Sequence, residues 1–170
     1  MTQYGAPAGA AEESTTIKVG IADAAVTTNG CRIRTSGLGS CLGIVLYDEH
    51  AGVAGLVHVM LPEGDDGSET EPAKFVDTGI ESLLSDMKEK GARPSNIIAK
   101  IAGGSDMLDL SRETGNIGAR NVEKAEEVLS DYGITIESTD TGGEHGRSLE
   151  LDATTGELEV SRAGEESVVL

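Results

Sequence analysis

Two apolar runs stand almost back to back, residues 42–47 (LGIVLY) and 53–61 (VAGLVHVML), separated only by the turn Asp48-Glu49-His50-Ala51-Gly52. Neither run alternates polar with apolar residues, as a strand with one wet face does, so both predict strands buried on both sides. A strand pair of that kind needs a layer of structure above it and another below. The hairpin therefore constrains the rest of the chain more than any other feature.

The other segments can supply those layers. Residues 17–22 (IKVGIA), 31–34, 96–102 and 134–138 read as short strands, and the turn signal Asn29-Gly30 precedes the second. Residues 148–152 and 157–160 pair as a hairpin over Ala153-Thr154-Thr155-Gly156. Between residues 74 and 90 the period changes: Val76, Ile80, Leu83, Leu84 and Met87 recur at helical spacing, Lys88 and Lys90 lie in the last turn, and Gly91 stops the helix. Val122, Ala125, Val128 and Leu129 mark a second helix ending at Tyr132-Gly133. The expected class is α+β: a single domain over residues 16–162, with mixed β-sheet layers covered by two or three outer helices. Residues 1–15 read as a disordered tail and 163–170 as a loose one.

Composition narrows the function. Acidic residues number 30 against 13 Lys and Arg, for a net charge of −17, and aromatics make up only 2% of the 170 residues. That field repels phosphate backbones and anionic membranes, and few rings are present to stack bases. No run reaches the length of about 18 apolar residues that a membrane span needs, and residues 1–16 have neither the basic start nor the apolar stretch of a signal peptide. The expectation is a cytoplasmic protein with free thiols at Cys31 and Cys41, no nucleic-acid partner and no direct membrane insertion. The acid excess is spread along the chain, which points to a surface adapted to a salt-rich cytoplasm; at molar salt the screening length shrinks to about 3 Å.

Few residues carry chemistry. Cys41 follows the glycine-rich stretch Thr35-Ser36-Gly37-Leu38-Gly39-Ser40 and opens an apolar strand. Such a loop can turn backbone N–H groups around Gly39 and Ser40 toward an oxyanion while the thiolate attacks a carbonyl carbon. A free cysteine is otherwise commonly a small buried hydrophobe. His58 interrupts the second apolar strand, where an antiparallel neighbour brings it near the Cys41 loop as a general base; the alternative is a satisfied core histidine. Thr35 can accept a hydrogen bond from the ring, or simply be a β-former. Gly103-Gly104 and Gly142-Gly143 are sites of close backbone approach to a ligand, or turns. No P-loop, dinucleotide fingerprint or zinc spacing is present, and the acidic loop 63–71 lacks the EF-hand pattern.

Read together, the segments resemble the chemoreceptor glutamine deamidase family, CheD. The resemblance covers residues 17–162 and rests on blocks in order: 35–41 (TSGLGSC), 55–62 (GLVHVMLP), 99–108 (AKIAGGSDML), 116–122 (NIGARNV) and 140–148 (DTGGEHGRS), followed by Thr155-Gly156. It implies that Cys41 is the nucleophile, His58 the base and Thr35 the residue that orients the base. Gly39 and Ser40, with Gly103 and Gly104, become candidates for the oxyanion or substrate loop. The implied reaction turns receptor glutamines into glutamates through a cysteine thioester and needs no cofactor. The implied partners are chemoreceptor cytoplasmic domains and a CheC-type response-regulator phosphatase. The alternative is a non-catalytic adaptor that tunes that phosphatase. The acidity exceeds that of typical members and points to a halophilic archaeon. Met107, Arg120 and Arg147 lie in these blocks as substrate contacts or loop supports.

Overall fold

A computed structural model describes residues 15–28, 30–64, 70–106 and 116–170. The expected disordered tail, Asn29, part of the acidic loop and Met107 lie almost wholly outside those residues.

The buried hairpin forms as read. Strands β4 (Leu42–Asp48) and β5 (Val53–Val59) pair antiparallel, and every residue of both is buried. They sit inside a five-stranded sheet that also contains β2 (Asp23–Thr27), β6 (Ile97–Gly103) and β7 (Thr135–Thr141), in the order β2-β5-β4-β6-β7. A second five-stranded sheet has β1 (Thr16–Lys18), β3 (Arg32–Leu38), β8 (Arg147–Asp152), β9 (Leu158–Arg162) and β10 (Val168–Val169), in the order β1-β3-β8-β9-β10.

Alternation along the central strands divides the core in two. Leu42, Ile44, Leu46, Val57 and Val59 face helices α1 (Val76–Glu89) and α2 (Ile117–Asp131), packing on Ile80, Leu83, Met87, Ala125 and Leu129. Val45, Tyr47, Ala54 and Leu56 face the other way, toward Ile33, Leu38, Leu149, Leu151 and Val160 of the second sheet. The layers run helices, sheet, sheet, so the expected α+β class with mixed sheets and outer helices is what forms. Both faces of the hairpin are dry for that reason.

The elements depart from expectation in three places. The stretch 17–22 is not one strand: β1 ends at Lys18, Ile21 is 57% exposed, and the chain enters β2 through Ala22, which has a φ of +61°. Strand β3 does not stop at Arg34. It continues through Thr35 to Leu38, paired with β8, and a register shift between Thr35 and Leu38 places an extra residue on β3. Such a bulge bends the strand and re-aims its side chains. The last residues are docked: β10 pairs with β9, Leu158 and Leu170 exchange backbone hydrogen bonds of 3.1 and 2.8 Å, and the buried Lys100 Nζ donates to the Leu170 carbonyl at 2.8 Å. Those bonds satisfy groups that a loose tail would leave unpaired in a buried place.

Helix α2 begins earlier than its apolar markers suggest, capped by the Asn116 side chain, which accepts from the Ala119 N–H. Its first turn lies directly on the chain leaving β6. A Cβ on Gly118 would stand 2.5 Å from the carbonyl oxygens of Gly104 and Ser105, and one on Gly104 would stand 2.9 Å from the Gly118 carbonyl. Only a pair of glycines permits that approach, which sets the depth at which α2 docks beside the end of β4.

Candidate functional site

The site lies at the end of the sheets where β4 begins and β5 and β6 finish. His58 is fully buried on β5, opposite Gly43 of β4 and Asp23 of β2. It alternates with Leu56 and therefore points into the layer between the sheets. Thr35, 5% exposed, comes from the other sheet to meet it: Thr35 Oγ1 and His58 Nδ1 share a hydrogen bond of 2.7 Å. The other ring nitrogen, Nε2, is buried and has no hydrogen-bond partner among the described residues.

Cys41 immediately precedes β4, half-buried, and packs against the same inter-sheet cluster. Because Gly43 is opposite His58, Cys41 is diagonal to it; diagonal Cα atoms in an antiparallel pair are about 7–8 Å apart, within reach of long side chains. Thiol and imidazole thus share one face, although one comes from a loop and the other from a strand interior.

Burial sets the protonation of both groups. It pushes the Cys41 thiol above its ordinary value, opposed in part by Cys41's own backbone hydrogen bond, and holds the His58 imidazole below its ordinary value. Each shift favours the uncharged form.

The loop carrying Cys41 is held at successive carbonyls. Ser105 N–H donates to the Gly39 carbonyl at 2.9 Å, the Asn121 carboxamide to the Ser40 carbonyl at 2.9 Å, and Gly104 N–H to the Cys41 carbonyl at 2.8 Å. Gly39 and Ser40 thus form the braced loop just ahead of Cys41. Gly104 does not offer its N–H to an incoming group, because the Cys41 carbonyl takes it. Gly103 is opposite Leu42 in the ladder, and its carbonyl accepts from Gly142 N–H at 3.0 Å. Both glycines brace the loop.

Arg147 resolves to a loop support. Its side chain is buried, and it donates to the Gly103 carbonyl at 3.4 Å and the Gly142 carbonyl at 2.9 Å, with Asp140 Oδ2 at 3.5 Å from Nε. His50 lies in the turn at the far end of the hairpin, and His145 is half-exposed with Nε2 3.0 Å from the Glu165 carboxylate. Beside the loop is an open cleft of about 280 Å³ lined by Gly104, Asp106, Val122, Glu123, Thr141 and Gly143. Asn121 is the residue that sequence reasoning passed over. Its signal was a polar side chain within the stripe Gly118, Asn121, Ala125, Leu129, the buried face of α2.

A buried imidazole anchored at one nitrogen, on one face with a half-buried thiol, is the arrangement that thiol hydrolases use. Known relatives identify the family. The family model described as CheD chemotactic sensory transduction matches residues 60–162. A protein of Haloarcula marismortui named "Probable chemoreceptor glutamine deamidase CheD" is 50% identical over 154 residues, covering 91% of this chain and 89% of its own. Proteins with the same name from Natronomonas pharaonis and Caldanaerobacter subterraneus are 46% and 47% identical, covering 94% and 89% of this chain and 95% and 96% of their own. A crystal structure of Bacillus licheniformis hypothetical protein YfiH overlaps 71% of this chain and 49% of that one, at 17% identity and a TM-score of 0.45. This chain belongs to the CheD family.

The Thr35 hydroxyl is the measurable element of the pair. Thr35→Val keeps the shape and leaves Nδ1 unpaired in a buried place, so urea unfolding should show a loss of about 1–3 kcal/mol. Thr35→Ser, which retains the hydroxyl, should lose clearly less; equal losses would mean that the hydrogen bond contributes nothing.

Proposed function

We propose that this chain hydrolyses the side-chain amide of glutamines in chemoreceptor cytoplasmic domains, with Cys41 as nucleophile, His58 as base and Thr35 as the residue that orients His58. The observation that carries the reading is the buried imidazole tied to Thr35 at Nδ1 and, among the described residues, unpartnered at Nε2, on the face that Cys41 shares.

The steps follow from the geometry. With the proton on Nδ1 donated to Thr35 Oγ1, Nε2 presents its lone pair and takes the Cys41 proton as sulfur attacks the amide carbon. The C–S bond forms and the carbonyl π pair moves to oxygen, where backbone N–H groups of the Gly39–Cys41 loop stabilise it. Collapse breaks the C–N bond, and His58 gives its proton to the departing ammonia. Water, deprotonated by the same nitrogen, then opens the thioester to a carboxylate and regenerates the thiol. Burial favours the uncharged form of both groups, so the thiolate forms as Nε2 takes the proton.

The remaining parts of the reading rest on family membership and charge. A CheC-type phosphatase is the regulatory partner. The place of action is the cytoplasm; no helix among the described residues is long and apolar enough to cross a membrane. The net charge of −17 suits a salt-rich interior such as that of a halophilic archaeon.

Intact mass of a receptor cytoplasmic fragment tests the reaction. Incubation with the protein in molar KCl should add about one dalton per modified glutamine, and Cys41→Ala should add none, because amide attack needs the thiolate. No gain with folded partners would remove the enzyme reading and favour the adaptor. In the pH profile of kcat/KM, the acid limb should lie below about 6.5, the ordinary value for histidine, because burial keeps His58 in its base form to lower pH. A limb above that value would contradict the assignment. Urea midpoints should rise between low and molar KCl as salt screens the acidic surface, and equal midpoints would discard the salt-adapted reading.

A further inference from the structure

Asn121 sits on the buried face of α2, fully enclosed, and uses both hydrogens of its carboxamide nitrogen. One goes to the Ser40 carbonyl at 2.9 Å and the other to the Met60 carbonyl at 3.0 Å. The opposite orientation of the amide would set oxygen against both carbonyls. Two N–H donors on one planar nitrogen are what a carboxamide offers; a hydroxyl has one, and an ionised carboxylate none. Asn121 therefore joins the residue before Cys41 to the strand end two residues beyond His58.

The Ser40 bond has a geometric consequence. In a planar trans peptide the C=O and the following N–H point in opposite directions. Holding the Ser40 carbonyl therefore aims the Cys41 N–H. The neighbouring carbonyls, Gly39 and Cys41, are held by the backbone N–H groups of Ser105 and Gly104. In this series only the middle peptide is fixed by a side chain. The Cys41 N–H belongs to the residue that bears the sulfur, and a carbonyl carbon bonded to that sulfur carries its oxyanion close by.

We infer that Asn121 is a positioning residue for the reaction: it orients the Ser40–Cys41 peptide so that the Cys41 N–H meets the oxyanion of the tetrahedral intermediate. The inference rests on the reading of Cys41 as nucleophile. Asn121 touches neither substrate nor reacting atoms and acts only through the loop.

The test compares two reactions of the same sulfur in the full chain. Deamidation of a receptor fragment builds an oxyanion, whereas alkylation of Cys41 by iodoacetamide is substitution at a saturated carbon and builds none. Asn121→Ala should lower kcat by roughly tenfold to hundredfold, below the 10²–10³ of deleting a donor outright, with KM within about twofold. Site-resolved alkylation of Cys41 should stay within about threefold of wild type, because the thiol and its base are unchanged. If Asn121→Ala does not fold, Asn121→Ser, with one donor left, should show the same split at smaller amplitude. Equal loss of both reactions would show a collapsed loop and overturn the inference, and so would an unchanged kcat. Cys41→Ala separates the underlying reading: deamidation by that variant would overturn the nucleophile assignment whatever Asn121 does.

Discussion

The hydrogen bond between Thr35 and His58 joins the two sheets inside the buried layer between them. Thr35 belongs to one sheet and His58 to the other, and their 2.7 Å contact fixes the imidazole relative to both. A polar ring placed in an apolar layer must find a partner or cost stability. Here one nitrogen has its partner, and the other has none among the described residues. The same burial holds the His58 imidazole below its ordinary value and pushes the Cys41 thiol above its own.

The ladder and the α2 contact supply the rest. Antiparallel pairing of β4 and β5 places Cys41 diagonal to His58 without any long-range loop. The Gly104–Gly118 contact brings α2 close enough for Asn121 to reach across to β4 and β5. Arg147 ties the Gly103 and Gly142 carbonyls together beyond them. The half-buried cysteine that composition alone would assign to packing thus sits in a loop whose Gly39, Ser40 and Cys41 carbonyls are engaged. Preorganisation of that kind is what the proposed carbonyl addition needs.

Much of the fold was legible where burial is complete. Residues 42–47 and 53–61 had no polar face to mislead, and the stripes of α1 and α2 followed helical spacing. Strand β2 was not legible: Asp23–Thr27 has two alanines and a polar start, while Ile21 next to it is apolar yet exposed. The continuation of β3 past Thr35 was hidden because Ser36-Gly37 reads as loop, and pairing with β8 overrides that local preference. Composition and periodicity left Cys41 and His58 with equally plain structural explanations; the ordered family blocks singled them out. Asn121 showed only as a polar side chain in the buried stripe of α2; its partners, 81 and 61 residues away in the chain, could not be read.

The central claim is a covalent thioester on Cys41, and hydroxylamine trapping addresses it most directly. A thioester is open to attack by hydroxylamine in competition with water. With the receptor fragment as substrate, the account predicts glutamyl hydroxamate alongside glutamate at the same positions, and neither product with Cys41→Ala. Glutamate formed without hydroxamate at high hydroxylamine, or deamidation persisting in Cys41→Ala, would contradict it.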